Sequence, residues 1–365
     1  MHVRRAFIAA LSSLLLLCGC GIDVDNSEGE HTVDGTAAAD LASVEPLEDL
    51  RDWTGLSTAV VADPAIHPVT DSPEQTMPVT VTDSQGTEVT VKDTSRVLAL
   101  DVYGSLSRIT YELGLGDSLV GRDISTQFAE AQDLPLVTHG GHDLNAESIL
   151  DLDPTLIITD TSLGPWDVIL QMREAGIPVV VVDSTRSIDN VASLIDEVAS
   201  ALGVEAEGRK LAARSQQQID EVMASIDDVA PTDESGKLRT IFLYVRGQAN
   251  TYQLFGEGSG ADTLIDALGL YDVAKEIDWK GSRSVTSEAL IEAQPDLVIL
   301  MSKGLESVGG VDGLLEKVPA LASTPAGENE RFVDMADSQV LGYGPLTAEV
   351  LNALAVAIYA PGSLT

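Results

Sequence analysis

The chain has 365 residues, 44% of them apolar, enough for two domains and a sizeable core. It carries 58 Asp and Glu against 21 Lys and Arg, a net charge of -37. That charge repels nucleic acid and anionic membrane surfaces, so it argues against both as partners; it suits a soluble protein that meets basic docking surfaces.

The first segment reads as a targeting signal. Arg4 and Arg5 precede an apolar stretch over residues 6–17, too short to span a bilayer comfortably. "LCGC" follows at 17–20. A Leu three before Cys20, then small residues, resembles the bacterial lipobox. That resemblance implies a lipoprotein signal peptide over 1–19, lipidation of the Cys20 sulfur and a membrane contact through the lipid anchor only. Both cysteines of the chain lie here, so a mature protein would hold no disulfide and no cysteine-based metal site. Residues 20–76 are acidic, small and poor in aromatics, and read as a flexible tether or lead-in, with His31 and His67 as solvated loop residues.

Residues 77–93 predict a hairpin: Val79, Val81, Val89 and Val91 alternate with polar residues around Ser84, Gln85 and Gly86. Apolar runs then alternate with helical patterns. "RVLALD", "SLVGRD", "TLIITD" and "PVVVVD" predict short buried strands, and "SLSRITYELG", "WDVILQMREAG" and "VASLIDEVASALG" predict amphipathic helices. A long helix follows over 204–230, with Leu211, Ile219, Val222 and Ile226 on its apolar face and Pro231 and Gly236 after it. "RTIFLYV" restarts the α/β pattern.

The restart repeats the first half. "LNAESILDLDPTLIITD" (144–160) aligns without a gap on "VTSEALIEAQPDLVILM" (285–301), the offset of 141 taking Glu147 to Glu288 and Pro154 to Pro295. Asn145 and Thr286 are N-cap types placed two before those glutamates. The expected fold class is therefore α/β: two pseudo-repeated lobes, over 77–203 and 231–365, joined by one long backbone helix, with a cleft between them. Clefts of that kind concentrate ligand sites.

Enzyme signatures are scarce: there is no G-x-S-x-G, H-E-x-x-H or phosphate-loop motif, and the glycine-rich 256–262 lacks the loop's lysine. Two other stretches carry ligand chemistry. In "IFLYVRG", Tyr244 and Arg246 are two apart, so in an extended strand both project from one face. A neighbouring cation favours a phenolate, a ligand for ferric iron. The plain alternative is a wet hydroxyl and a surface ion pair. "THGGHD" (138–143) reads as a loop before the helix begun at Asn145, with Gly140 and Gly141 shaping it and His139 and His142 as candidate ligands. A zinc site here needs carboxylates that no spacing specifies. Met301 ends the second copy of the repeat and is a candidate cleft liner, or else a core residue at a strand end.

Lipobox, tether, repeated lobes and helical backbone together resemble the class III substrate-binding proteins of ABC importers. "GHDLNAE" and "YVRG" resemble in particular the HmuT-type haem-binding lipoproteins. The resemblance implies haem held in the interlobe cleft by axial His142 and Tyr244, with Arg246 supporting the tyrosine; from its place at the strand end, Met301 would then line the haem face. It implies that Glu147 and Glu288 dock on an ABC permease, that haem comes free or from haem-relay surface proteins, and that the protein is extracytoplasmic, lipid-anchored and not an enzyme. Alternatives are a ferric-siderophore or cobalamin carrier on the same scaffold, and an extracytoplasmic hydrolase using His139, His142 and carboxylates.

Overall fold

The computed structural model describes residues 33–364. The expected signal peptide, Cys20 and His31 lie outside the described residues. Two short helical turns precede β1 (Leu56–Ala59), and the predicted hairpin is β2 (Val79–Thr82) with β3 (Glu88–Val91). β4 (Val97–Leu100) leads into α1 (Ser105–Glu112). The two-residue strands β5 (Thr138–His139) and β6 (Asp143–Leu144) deliver the chain to α2 (Ala146–Asp151), β7 (Leu156–Thr159), α3 (Trp166–Glu174) and β8 (Val179–Val181). α4 (Val191–Leu202) and the long α5 (Glu205–Val229) follow. The second half runs β9 (Arg239–Arg246), β10 (Thr251–Phe255), α6 (Ala261–Ala267), β11 (Tyr271–Asp272), α7 (Val273–Glu276) and β12 (Ser282–Ser284). It ends with α8 (Ser287–Ala293), β13 (Leu297–Met301), α9 (Ser302–Glu306), α10 (Gly310–Lys317), α11 (Pro325–Glu328), β14 (Phe332–Met335) and α12 (Thr347–Tyr359).

The first lobe is built on the parallel sheet β4-β7-β8, whose residues are buried throughout, as parallel strands covered on both faces require. The second lobe has a seven-stranded mixed sheet in the order β1-β14-β13-β9-β10-β12, with β11 on β9. Between them α5 buries Leu211, Ile219 and Ile226 in a core shared with Leu106 and Leu194 of the first lobe and with Phe242 and Leu351 of the second. One helix thus packs against both lobes.

Two expectations do not hold. "SLVGRD" forms no strand: it makes single bridges, Val97 to Leu119 and Arg122 to Leu136. Gly121 sits between them, where a Cβ would lie 2.6 Å from the Leu152 side chain. Nor is the described part of the lead-in, 33–76, a flexible tether. β1 is the edge strand of the second lobe's sheet, pairing Leu56 with Phe332 and Ala59 with Met335. Leu41 and Leu50 are buried, and the Leu47 amide donates to the Tyr359 carbonyl at 2.8 Å at the end of α12. A few well-spaced leucines suffice to hold an otherwise polar segment.

Candidate functional site between the lobes

The carboxyl ends of β9 and β13 face loops of the first lobe across a cleft of about 600 Å³, a size typical of small-molecule sites. Tyr244, Arg246 and Met301 line it from the second lobe; Tyr103, Gln127 and His142 line it from the first. Of the residues singled out in the sequence, His142, Tyr244, Arg246 and Met301 line it and His139 does not.

On β9, the alternation that buries Leu243 and Val245 turns Tyr244 and Arg246 to the cleft. The Arg246 guanidinium lies over the Tyr244 ring, 4.5 Å from its centroid. Behind it, Tyr244 stacks on Phe255 at 5.7 Å, and Phe255 on Phe242 at 5.4 Å. Arg246 is itself held: it donates to Asp337 Oδ2 at 2.7 Å and to the Val245 carbonyl at 2.8 Å, and its Nη2 stands 3.9 Å from the Met301 sulfur. Asp337 also accepts the Lys303 amide at 3.0 Å, so one carboxylate fixes both the arginine and the start of α9. Close packing completes the corner: the Gly247 amide donates to Ser307 Oγ at 2.7 Å, and a Cβ on Gly247 would lie 2.3 Å from the Ser307 carbonyl oxygen.

Opposite, "THGGHD" is a miniature hairpin. Thr138 pairs with Leu144 and His139 with Asp143. Gly140 and Gly141 have φ of 58° and 100°, a backbone that side chains rarely adopt, which lets so short a turn close. His142 is the exposed residue that the turn presents to the cleft. His139 points elsewhere: its ring nitrogens lie 3.2 Å from Asn145 Nδ2 and 3.4 Å from Ser148 Oγ, against the start of α2. The two histidines therefore do not converge, and among the described residues no group of three His, Cys, Asp or Glu is placed to hold a metal ion.

Under the first-lobe wall lies a buried ionic cluster. Arg186 donates to Asp160 Oδ2 at 2.6 Å and Asp101 Oδ2 at 3.1 Å, with side-chain exposures of 2, 0 and 0%. Its guanidinium also lies 5.1 Å from the Tyr103 ring centroid. Asp123 accepts the Asp101 amide at 3.2 Å. Burial, then the negative Asp101, pushes Asp160 up to about 6 and Asp123 up to about 7. Burial works against the Arg186 charge, but Asp101 and Asp160 outweigh it and hold its pKa above the ordinary value.

The repeated motif folds alike in both lobes. Asn145 accepts the Ser148 amide at 2.8 Å and Thr286 the Ala289 amide at 3.1 Å, each capping a helix whose exposed first turn carries Glu147 or Glu288. Sequence reasoning missed Asp337, Phe255 and Tyr103. None carries a local signal: Phe255 breaks the alternation of Tyr252 and Leu254, and Asp337 and Tyr103 lie outside any motif.

Residues 102–338 match the family model described as periplasmic binding protein. A solved structure of the haem-binding protein HmuT is 41% identical, with a TM-score of 0.81, over 86% of this chain and 99% of that one. HmuT has also been solved with alanine replacing one arginine, one histidine or one tyrosine. The apo periplasmic haem-binding protein RhuT of Roseiflexus sp. RS-1 is 34% identical, with a TM-score of 0.67, over 74% of this chain and 99% of that one. A curated relative from Bacillus subtilis (strain 168), the uncharacterized ABC transporter substrate-binding lipoprotein YvrC, is 25% identical over 78% of this chain and 87% of its own length.

Proposed function

The chain belongs to the periplasmic binding protein family and to the group of the haem-binding protein HmuT, and we propose that it binds haem outside the cytoplasmic membrane and delivers it to an ABC permease for iron acquisition. One observation carries this reading: an imidazole from one lobe and a phenol from the other, His142 and Tyr244, line a single cleft of about 600 Å³. Two axial ligands on opposite walls suit a flat macrocycle clamped between lobes. The phenol is backed by Phe255 and faced by a cation, so Arg246 complements the negative oxygen that ferric iron prefers. Met301 and Leu341 offer apolar contact to the porphyrin, and the cations of Arg246 and Lys303 suit its propionates.

The cargo is carried unchanged, so no reaction is catalysed. Release must break both axial bonds. Because Asp337 grips the arginine that faces Tyr244, a shift of α9 would disturb Tyr244 without unfolding either lobe. Glu147 and Glu288 meet basic groups of the permease, and a lipid on Cys20 holds the protein at the membrane, where free haem or surface haem-relay proteins supply it. A siderophore or cobalamin cargo brings its metal already satisfied and has no use for an axial pair.

The test is an absorbance titration with hemin of the wild-type, His142→Ala and Tyr244→Phe proteins. Tyr244→Phe keeps the stack on Phe255 and removes only the oxygen. Each substitution should shift the Soret band and weaken binding; unchanged spectra in both variants would overturn the assignment.

A further inference from the structure

Among the described residues four large hydrophobic side chains stand in solvent: Leu56, Leu150, Leu170 and Ile291, at 43, 47, 43 and 57% exposure. A single exposed leucine needs no explanation. Two of these four, however, occupy the same position of the internal repeat. Leu150 and Ile291 are related by the offset of 141 that relates Glu147 to Glu288.

The equivalence extends to the local structure. α2 and α8 start at the same register, because Asn145 and Thr286 cap them with the same bond. Each helix buries its inner side, Ile149 in one lobe and Ala289, Leu290 and Ala293 in the other. Each then exposes an acid, an aliphatic residue three later and a second acid four later: Glu147, Leu150, Asp151 and Glu288, Ile291, Glu292. Residues three and four apart share a helix face. Both lobes thus carry one patch, an aliphatic knob flanked by carboxylates.

We propose that Leu150 and Ile291 are the affinity contacts of permease docking, each entering an apolar socket rimmed by basic groups on one of two equivalent permease subunits. This rests on the docking reading of Glu147 and Glu288 and assigns the acids and the knobs different tasks. Exposed charge pairs steer encounter and set register, and are screened by salt. Burial of an aliphatic side chain is insensitive to salt and slows dissociation, on the order of tenfold or more in affinity for each knob. The occupant is basic because the knobs are ringed by acid, and it presents two sockets because the chain presents two patches. A net charge of -37 disfavours an anionic lipid surface as the alternative.

Binding kinetics of the full-length, hemin-loaded protein to the ABC haem permease of its own cell, purified in nanodiscs, would be measured at low and high salt. Leu150→Ser with Ile291→Ser should weaken binding by about a hundredfold, mainly through faster dissociation, with the salt dependence of association kept; each single change should cost about tenfold. Glu147→Gln with Glu288→Gln should slow association and flatten its salt dependence. Hemin titration and melting temperature of the wild type should be retained by all variants. If the aliphatic pair binds like wild type while the glutamate pair does not, the knobs have no such role and the docking reading stands. If both pairs bind like wild type, the docking reading fails and takes the proposal with it. If sedimentation shows a wild-type dimer that the aliphatic pair abolishes while permease binding is unchanged, the patches serve a second copy of this chain and the proposal is overturned.

Discussion

Replacing Arg186 by Met should destabilise the protein in a way that depends on pH. The guanidinium is shared by Asp101 and Asp160, both fully buried, and also donates to the Asp183 carbonyl at 2.8 Å. Met keeps most of the volume and removes the cation, leaving two carboxylates without it. Breaking a buried pair from one side costs about 3–5 kcal/mol. With an unfolding entropy of about 2.1 cal/mol/K per residue, some 330 residues melting together give about 0.7 kcal/mol/K, so the melting temperature at pH 8 should fall by about 4–7 °C. The sign with pH follows from the raised carboxyls. A group whose folded pKa lies above its unfolded value stabilises fully below the unfolded value, near 4 for Asp, and loses that contribution as pH rises through the folded one. For Asp160 and Asp123 that window runs from about 4 to about 6 and 7. Arg186 lowers the Asp160 value, so without it that value climbs further; at pH 5 Asp160 is then protonated, less negative charge is left uncompensated, and the loss should be smaller than at pH 8. Thermal unfolding followed by circular dichroism at both values decides it. A loss at pH 5 equal to or greater than that at pH 8 would refute the view that Arg186 acts by neutralising these carboxylates.

His139→Ala should leave the hemin titration unchanged and cost at most about 0.5 kcal/mol, since its contacts to Asn145 and Ser148 are long and exposed; the titration and a melting curve check both halves. Gly247→Ala should cost about 2 kcal/mol or more, because the methyl would meet the Ser307 carbonyl 2.3 Å away. The resulting displacement of α9 from β9 should weaken hemin binding through Arg246, measurable in the same titration.

What the sequence disclosed divides along the range of its signals. The repeat at offset 141 was visible because caps, buried strands and prolines are written locally, and both caps form the bonds their residue types imply. The pairing of Tyr244 with Arg246 was visible because a strand has period two, and the ring-to-guanidinium distance of 4.5 Å is its outcome. The turn that separates His142 from His139 needed only two glycines with positive φ. Asp337 was invisible: it lies 91 residues from the arginine it holds, and nothing near it marks the partnership. The misreading of 33–76 has the same origin. Composition reports how much apolar area a segment has to bury, and Leu41 and Leu50 are few; their stability comes from α12 and β14, which composition of the segment cannot contain.

The pairing of β1 with β14 also sets an order of events for a chain that emerges N-terminus first. Leu56 waits for Phe332, so the second lobe's sheet cannot gain its edge until nearly the whole polypeptide is available, while the first lobe between them can already fold. Closing so long a loop is slow, and an unpaired strand is exposed to wrong partners in the interval. β1 is only four residues long and its chain is strongly self-repelling at a net charge of -37. Shortness and charge together keep the waiting edge from pairing with its copies, so the acidity that suits the finished protein also protects the unfinished one.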